Sequence, residues 1–240
     1  EGLELILGRV LNGAPAQSSG IVPLRLARAR SLADALGRHD DAEKEIRQAL
    51  ADAPHALEAL LALGEPHLKR DNAALAQVEY QGVLERDPFQ AEAYFRRGYC
   101  KRLESNFKGA LRDLTKAIDL NPKDAGSYIE RGQVYDALLQ YQKSLADYDK
   151  AIELAPHLAP AMAQRGYSYL LQGIYHKAVK DMTRALKINS NAAWYYSVRG
   201  EAWTGLSENQ KALKDLDRAV ELEPQTPTRY AHRAMCKRLM

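Results

Sequence analysis

Aromatic residues are absent from the first third of this 240-residue chain. Residues 1–79 contain no Phe, Trp or Tyr, so the chain's 3 Phe, 2 Trp and 13 Tyr all lie between Tyr80 and Tyr230. Aromatic side chains are among the commonest anchors of protein–protein contacts. If the function needs such anchors, the sequence places them in the later part of the chain.

The chain also lacks a strong charge surplus and any long apolar run. Its 34 basic and 31 acidic residues leave a net charge of +3, and no basic run stands out, which argues against a nucleic-acid reader. No stretch approaches 18 consecutive apolar residues, so the sequence predicts no membrane-spanning helix. Charged residues at 27% and hydrophobic residues at 46% are typical of a globular domain.

Motifs for catalysis and for cofactors are missing. The chain contains no GxxxxGK[ST] phosphate loop, no GxGxxG after a strand, no HExxH and no CxxC. His232 and Cys236 are four residues apart and would share a helix face, a spacing that could hold a metal, but two further ligands are needed and none is evident. The sequence therefore predicts no enzyme activity, no cofactor and no metal site.

What the sequence does contain is a 34-residue period. Prolines recur at this step, and glycines recur at the same step, each ahead of a proline or of Ser190, which replaces one. The prolines are Pro54, Pro88, Pro122, Pro156 and Pro224, and the glycines are Gly64, Gly98, Gly132, Gly166 and Gly200. Two ladders in one register predict an array of helical repeats. Glycine allows two helices to approach closely, and proline ends the second helix.

The segments AYFRRGYCKRLESNFKGALRDLTKAIDLNP and SYIERGQVYDALLQYQKSLADYDKAIELAP carry this pattern in full. It resembles the pattern of the tetratricopeptide repeat family over roughly residues 23–240. The resemblance implies an all-α fold, a right-handed α-solenoid of antiparallel helix pairs. It also implies a non-catalytic scaffold that binds a partner protein or peptide in a concave groove.

The register divides the chain into an N-terminal helix tail and linker at 1–22 and an array at 23–240. Full repeats are predicted at 23–56, 57–90, 91–124, 125–158, 159–192 and 193–226. Residues 227–240 are either a partial repeat or a capping helix. The chain is expected to be a fragment of a longer protein. Pro66 falls inside the first helix of its repeat and is expected to kink or break that helix.

The two cysteines, Cys100 and Cys236, lie four periods apart. Packed helices are about 8–10 Å apart, so four repeats place the two thiols beyond disulfide reach. They are predicted to be free, or to bridge to another chain. Free thiols favour a reducing, cytoplasmic compartment, and the bacterial periplasm stays open as an alternative.

The resemblance also implies a partner-binding surface, because the family lines its concave wall with defined positions of the first helices. At those positions we expect a mixture of aromatic, basic and amide side chains to form the binding site. The residues are Phe95, Arg96, Tyr99, Arg102, Gln133, Tyr167 and Trp194. Aromatic and arginine side chains are typical of binding hot spots.

A second set of residues recurs in the later repeats only. An arginine precedes each of four ladder glycines, and an aspartate occupies one fixed position of the second helix. These residues are Arg97, Arg131, Arg165 and Arg199 with Asp113, Asp147, Asp181 and Asp215. Arginine and carboxylate suit bidentate pairing in a partly buried seam, so we interpret the set as a structural ladder. Each aspartate could pair with the arginine of its own repeat or with that of the next repeat.

One subclass of the family binds the terminal carboxylate of Hsp70 or Hsp90 with lysine, asparagine and arginine side chains. The corresponding positions here hold Phe95, Tyr99, Glu130, Pro160 and Gln164, or in the next register Ile129, Gln133, Gln164, Trp194 and Val198. Neither set can clamp a carboxylate, which argues against this partner class. Two other functions stay open. The array could be a helical spacer or self-association module, as in a bacterial exopolysaccharide export or envelope-assembly protein. It could also be the repeat region of an enzyme such as a glycosyltransferase.

Overall fold

The computed structural model describes residues 20–240, and every regular element in this range is an α-helix. The fourteen helices of this range are α1 (Ile21–Leu36), α2 (His39–Asp52), α3 (Leu57–Ala62), α4 (Gly64–Lys69), α5 (Ala73–Arg86), α6 (Ala91–Leu103), α7 (Phe107–Leu120), α8 (Ala125–Ala137), α9 (Tyr141–Leu154), α10 (Ala159–Leu171), α11 (Tyr175–Ile188), α12 (Ala193–Gly205), α13 (Asn209–Leu222) and α14 (Pro227–Arg238). No strand occurs in the described range. The predicted all-α fold of helix pairs is confirmed.

The second helix of a pair ends two residues before the proline ladder, as α7 does at Leu120 before Pro122. The turn inside each pair contains one residue with a positive φ angle. These residues recur at the repeat period and are Gly37, Asp71, Ser105, Leu139, Gly173 and Ser207, with φ between 55° and 71°. Such a conformation costs little for glycine and more for a residue with a Cβ.

The glycine ladder lies where the two helices of a pair touch. A Cβ atom at Gly132 would lie 2.6 Å from the ring of Tyr148, and one at Gly98 would lie 2.8 Å from Leu114. Both neighbours are fully buried. A larger residue would therefore push the second helix away.

The first helix of the second repeat is divided at Leu63 into α3 and α4. Pro66 follows three residues later and has no N–H to donate to the carbonyl of Ala62. The predicted interruption is confirmed. At the N-terminal end α1 begins at Ile21. The helix tail predicted within residues 3–11 lies outside the described residues, as does most of the predicted linker.

The chain divides into two compact units, Glu1–Pro122 (unit 1) and Lys123–Met240 (unit 2). Unit 1 has its own apolar clusters, one of which includes Leu26, Ile46 and Leu63. In unit 2 a cluster around Met162 and Val198 joins neighbouring pairs. Each core lies between stacked helices, as nearest-neighbour packing requires. Within residues 20–240 no helix combines the length and the apolar character that crossing a bilayer requires.

Candidate partner-binding site

Each ladder aspartate accepts two hydrogen bonds from the arginine of its own helix pair, with donor–acceptor distances of 2.7 or 2.8 Å. The pairs are Arg97–Asp113, Arg131–Asp147, Arg165–Asp181 and Arg199–Asp215. All four aspartates are buried. The hydrogen bonds to aspartate raise the pKa of Arg97 and of Arg131, although burial opposes the shift. Each ladder aspartate therefore pairs with the arginine of its own repeat and not with that of the next repeat.

The ladder arginines also contact aromatic rings and side-chain oxygens outside their aspartate partners. The Arg97 guanidinium lies 5.4 Å from the centre of the Tyr94 ring. A third nitrogen reaches the preceding pair: Arg165 Nη1 lies 2.5 Å from Asp149 Oδ1, and Arg199 Nη1 lies 3.2 Å from Thr183 Oγ1. Because these contacts surround the guanidinium groups, we keep the prediction that the ladder is structural.

Four of the predicted groove residues lie on α6 in unit 1 and are partly exposed. They are Phe95, Arg96, Tyr99 and Arg102. The Arg102 guanidinium lies 5.2 Å from the centre of the Tyr99 ring, within cation–π range. Arg96 donates to Glu92 at 2.5 Å and also pairs with Glu65. The structure thus brings Tyr99 and Arg102 together, whereas two carboxylates already neutralise Arg96.

The remaining three predicted groove residues lie on first helices of unit 2, and each is partly exposed: Gln133 on α8, Tyr167 on α10 and Trp194 on α12. The ring centres of Tyr167 and Trp194 are 5.6 Å apart. Trp194 also lies 5.7 Å from Tyr195. Tyr167 and Trp194 pack on the buried cluster that includes Met162, so the rings have a fixed support. Gln133 is not a member of this aromatic pair.

Unit 1 contains a cavity of about 480 Å³ among α1, α2, α3, α4 and α6. Its wall includes Leu26, Ala33 and Ile46, and charged residues such as Arg96 and Glu65 lie at its mouth. The aromatic pattern of the sequence does not predict this cavity, because small side chains line much of it. The sequence feature that corresponds to the cavity is the set of small side chains in the first repeat, Ala29, Ala33 and Ala42.

Models of one family match most of the chain. Models described as "Tetratricopeptide repeat" match residues 26–80 and 67–125, residues 125–158, and residues 159–191. The chain belongs to the tetratricopeptide repeat family. A search of curated proteins found no match.

Solved structures with tetratricopeptide repeats share the fold. The chain is similar to a crystal structure of the APC/C hetero-tetramer Cut9–Hcn1, with a TM-score of 0.85 and 15% identity, over 98% of this chain and 46% of that one. It therefore spans less than half of that chain. It is similar to TTC0263, a protein of Thermus thermophilus, with a TM-score of 0.67 and 21% identity, over 76% and 99% of the two chains. A third, YrrB, described as a TPR protein with an unusual peptide-binding site, has a TM-score of 0.58 and 19% identity, over 80% of this chain and 97% of that one.

A buried polar network that the repeat pattern does not predict lies in the tetratricopeptide repeats of unit 2. The Asp136 carboxylate accepts hydrogen bonds from Tyr148 at 2.7 Å and from Ser168 at 2.8 Å. The Ser168 hydroxyl lies 3.3 Å from that of Ser144. The sequence signal was Ser144, which stands where five of the six repeats have alanine.

Another contact of unit 2 lies beside Tyr167. His232 Nδ1 on α14 is 2.8 Å from Glu201 Oε1 on α12, and burial raises the pKa of Glu201, opposed by His232. Cys236 is buried, with its Sγ 3.5 Å from the Asn209 carbonyl oxygen. Among the described residues, no group of three His, Cys, Asp or Glu side chains could hold a metal ion.

Proposed function

We propose that this chain is a protein-interaction scaffold that binds a segment of a partner protein on the exposed faces of its first helices. The binding residues in this proposal are Phe95, Arg96, Tyr99 and Arg102 in unit 1 and Gln133, Tyr167 and Trp194 in unit 2. No catalytic residue and no cofactor belong to the proposal. The family membership supports the scaffold role, because repeat arrays present extended binding surfaces.

The observation that carries the proposal is the aromatic pair of Tyr167 and Trp194. Both rings are partly exposed, lie 5.6 Å apart and rest on a buried apolar cluster. A supported ring loses little conformational entropy when it contacts a partner, and it contributes a large contact area. YrrB supplies a precedent of the same fold, since it is described as having a peptide-binding site.

Unit 1 supports the proposal with a second surface on α6. Tyr99 and Arg102 form a cation–π pair at 5.2 Å, and Phe95 lies one turn earlier on the same helix. Aromatic and arginine side chains are the residues most enriched among binding hot spots. In unit 2, Glu201 lies close enough to Tyr167 to raise the pKa of its phenol, after the larger effect of burial. A carboxylate there would accept a hydrogen bond from a donor on the partner.

The test is affinity capture with the immobilised chain, followed by quantification of the co-purified protein. Tyr99→Ala and Trp194→Ala should each weaken binding by about 2 kcal/mol or more, roughly a thirtyfold loss. Tyr99→Ala should change the melting temperature little, whereas Trp194→Ala should lower it but leave the chain folded, because Trp194 packs on the buried cluster. Phe89→Ala is the matched control, because Phe89 is an aromatic residue that is 75% exposed in the turn between α5 and α6.

Capture that is equal for the parent and both variants would refute the proposed binding surface. A chain that captures nothing but associates with itself would instead favour the spacer or self-association role. Melting curves of all variants ensure that lost capture does not reflect lost folding.

A further inference from the structure

The cavity of unit 1 has an apolar wall built mostly from small side chains. Its deeper lining includes Leu26, Ala29, Ala33, Ala42, Ile46 and Leu61. The volume of about 480 Å³ falls within the usual range for ligand pockets, roughly 300–1,000 Å³. The cavity is therefore large enough to bury a bulky side chain.

Three of the residues that line the cavity stand where the first helix pair of unit 2 has larger residues. Three periods later, Ala29 corresponds to Arg131, and Ala33 corresponds to Tyr135. Ile46 corresponds in the same way to Tyr148, which is fully buried. The first pair thus lacks one guanidinium and two rings.

The glycine position of the first repeat also holds a different residue. Arg30 stands one period before Gly64, at the glycine position of the repeat, and its side chain is exposed at the cavity mouth.

The mouth offers cations but little net charge. Lys69 lies 3.2 Å from Asp34, and Arg96 pairs with Glu92 and Glu65. In unit 2 comparable cations lie over rings: Lys143 is 5.4 Å and Arg131 6.0 Å from the centre of the Tyr135 ring. The lining carboxylates, Glu58 among them, balance these cations. A neutral ring is thus the group that suits both the apolar wall and a mouth with little net charge.

We propose that this cavity is an anchor pocket for one aromatic side chain carried by a partner polypeptide. The partner's ring takes the place that Tyr135 holds in unit 2. This inference rests on the proposed scaffold function, and it adds the chemical class of the anchor and a position in the first repeats.

The test uses the full chain and N-acetyl-L-tryptophanamide as the probe, with N-acetyl-L-alaninamide as the reference. Two-dimensional NMR should show shifts of the backbone amides of Ala29, Ala33 and Leu61 with the tryptophan amide and none with the alanine amide. Ala33→Tyr restores the unit 2 residue and fills the cavity, so it should weaken the binding at least tenfold. Ala29→Leu is a second, milder filling variant. Ala35→Tyr is the control, since Ala35 is exposed on the same helix outside the cavity.

Four results would overturn the inference. The first is the absence of cavity shifts in the parent chain, and the second is equal binding by the parent, Ala33→Tyr and Ala29→Leu. The third is binding of 1-N-phenylnaphthylamine without any response to the tryptophan amide, which would assign the cavity to a small apolar molecule. A dimer that both filling variants abolish would instead assign it to a second copy of the chain. Because the probe is independent of any partner, this test can fail while capture through Trp194 succeeds.

Discussion

Unit 2 and the first helix pair of unit 1 hold their charged residues differently at equivalent positions. In unit 2, Asp147 binds Arg131, and the ion pair lies inside the helix pair. The first pair has Glu45 and Ala29 at these positions, and the Glu45 carboxylate lies 2.8 Å from Arg28. The acid keeps a basic partner, but this partner comes from the preceding residue of the helix. The position that holds Arg131 in unit 2 holds only the methyl group of Ala29 in the first pair.

This difference shows that one repeat pattern can give either a filled helix pair or a helix pair with a cavity. Where arginine and tyrosine occupy the interior, the pair is filled by its own chain and its ions are buried. Where alanine occupies the same positions, the helices still form but a cavity opens toward solvent. Repeat arrays tolerate such local variation because each pair contacts mainly its neighbours.

The largest expected effect comes from breaking a ladder pair. Arg165→Ala leaves the Asp181 carboxylate, which is 2% exposed, without its bidentate partner. An uncompensated buried charge costs about 3–5 kcal/mol. Arg28→Ala in the first pair should cost about 1 kcal/mol or less, because Glu45 keeps a contact with Arg25 at 3.2 Å.

Urea denaturation of Arg165→Ala, Asp181→Ala and the double variant measures the coupling directly. The double variant should be little less stable than the worse single one. Additive losses, or an equal loss for Arg28→Ala, would contradict the assigned difference between the regions.

The next largest change in stability is expected at one of two tyrosines that occupy the same position of different repeats. Tyr148 donates to the buried Asp136 at 2.7 Å, whereas the buried Tyr80 hydroxyl of unit 1 has no hydrogen-bond partner in the described structure. Tyr148→Phe should lose about 1.5–3 kcal/mol, and Tyr80→Phe should be neutral or stabilising, because it removes an unsatisfied polar group. Calorimetric melting of both variants checks this, and similar losses would show that Tyr80 has a partner.

The sequence predicted the helices and their ends because proline and glycine act locally, through a missing N–H and a missing Cβ. It did not decide whether arginine and aspartate pair within a repeat or between repeats, since a period defines positions but not the direction of a side chain. The Asp136 network joins three helices through a combination of residues that no other repeat has in full. The cavity is not predictable from the aromatic pattern for a related reason: before Tyr80 the small residues contribute space rather than a contacting ring.

A smaller effect is expected at the glycine ladder. A Cβ at Gly64 would overlap the buried Tyr80 ring, whereas at Gly166 the nearest atom is 3.2 Å away. Overpacking costs about 1–3 kcal/mol, and alanine recovers roughly 0.5–1 kcal/mol of helix propensity. On these magnitudes Gly64→Ala should lose about 1–2 kcal/mol and Gly166→Ala close to nothing. Denaturation midpoints compare the two, and equal midpoints would show that the α4–α5 contact relaxes freely.

The smallest effect is a gain in stability at the turn between α8 and α9. Leu139 has a φ angle of 58° and is 71% exposed, so packing does not offset its left-handed backbone. Gly173 holds the equivalent turn position of the next pair, with φ of 71°. The left-handed conformation costs a residue with a Cβ roughly 1–2 kcal/mol, and the greater freedom of glycine in the unfolded chain returns part of this. Leu139→Gly should therefore stabilise the chain by about 0.5–1 kcal/mol, and Gly173→Leu should destabilise it by a similar amount. A lower denaturation midpoint for Leu139→Gly would mean that the exposed leucine contributes to folding through a contact of its own.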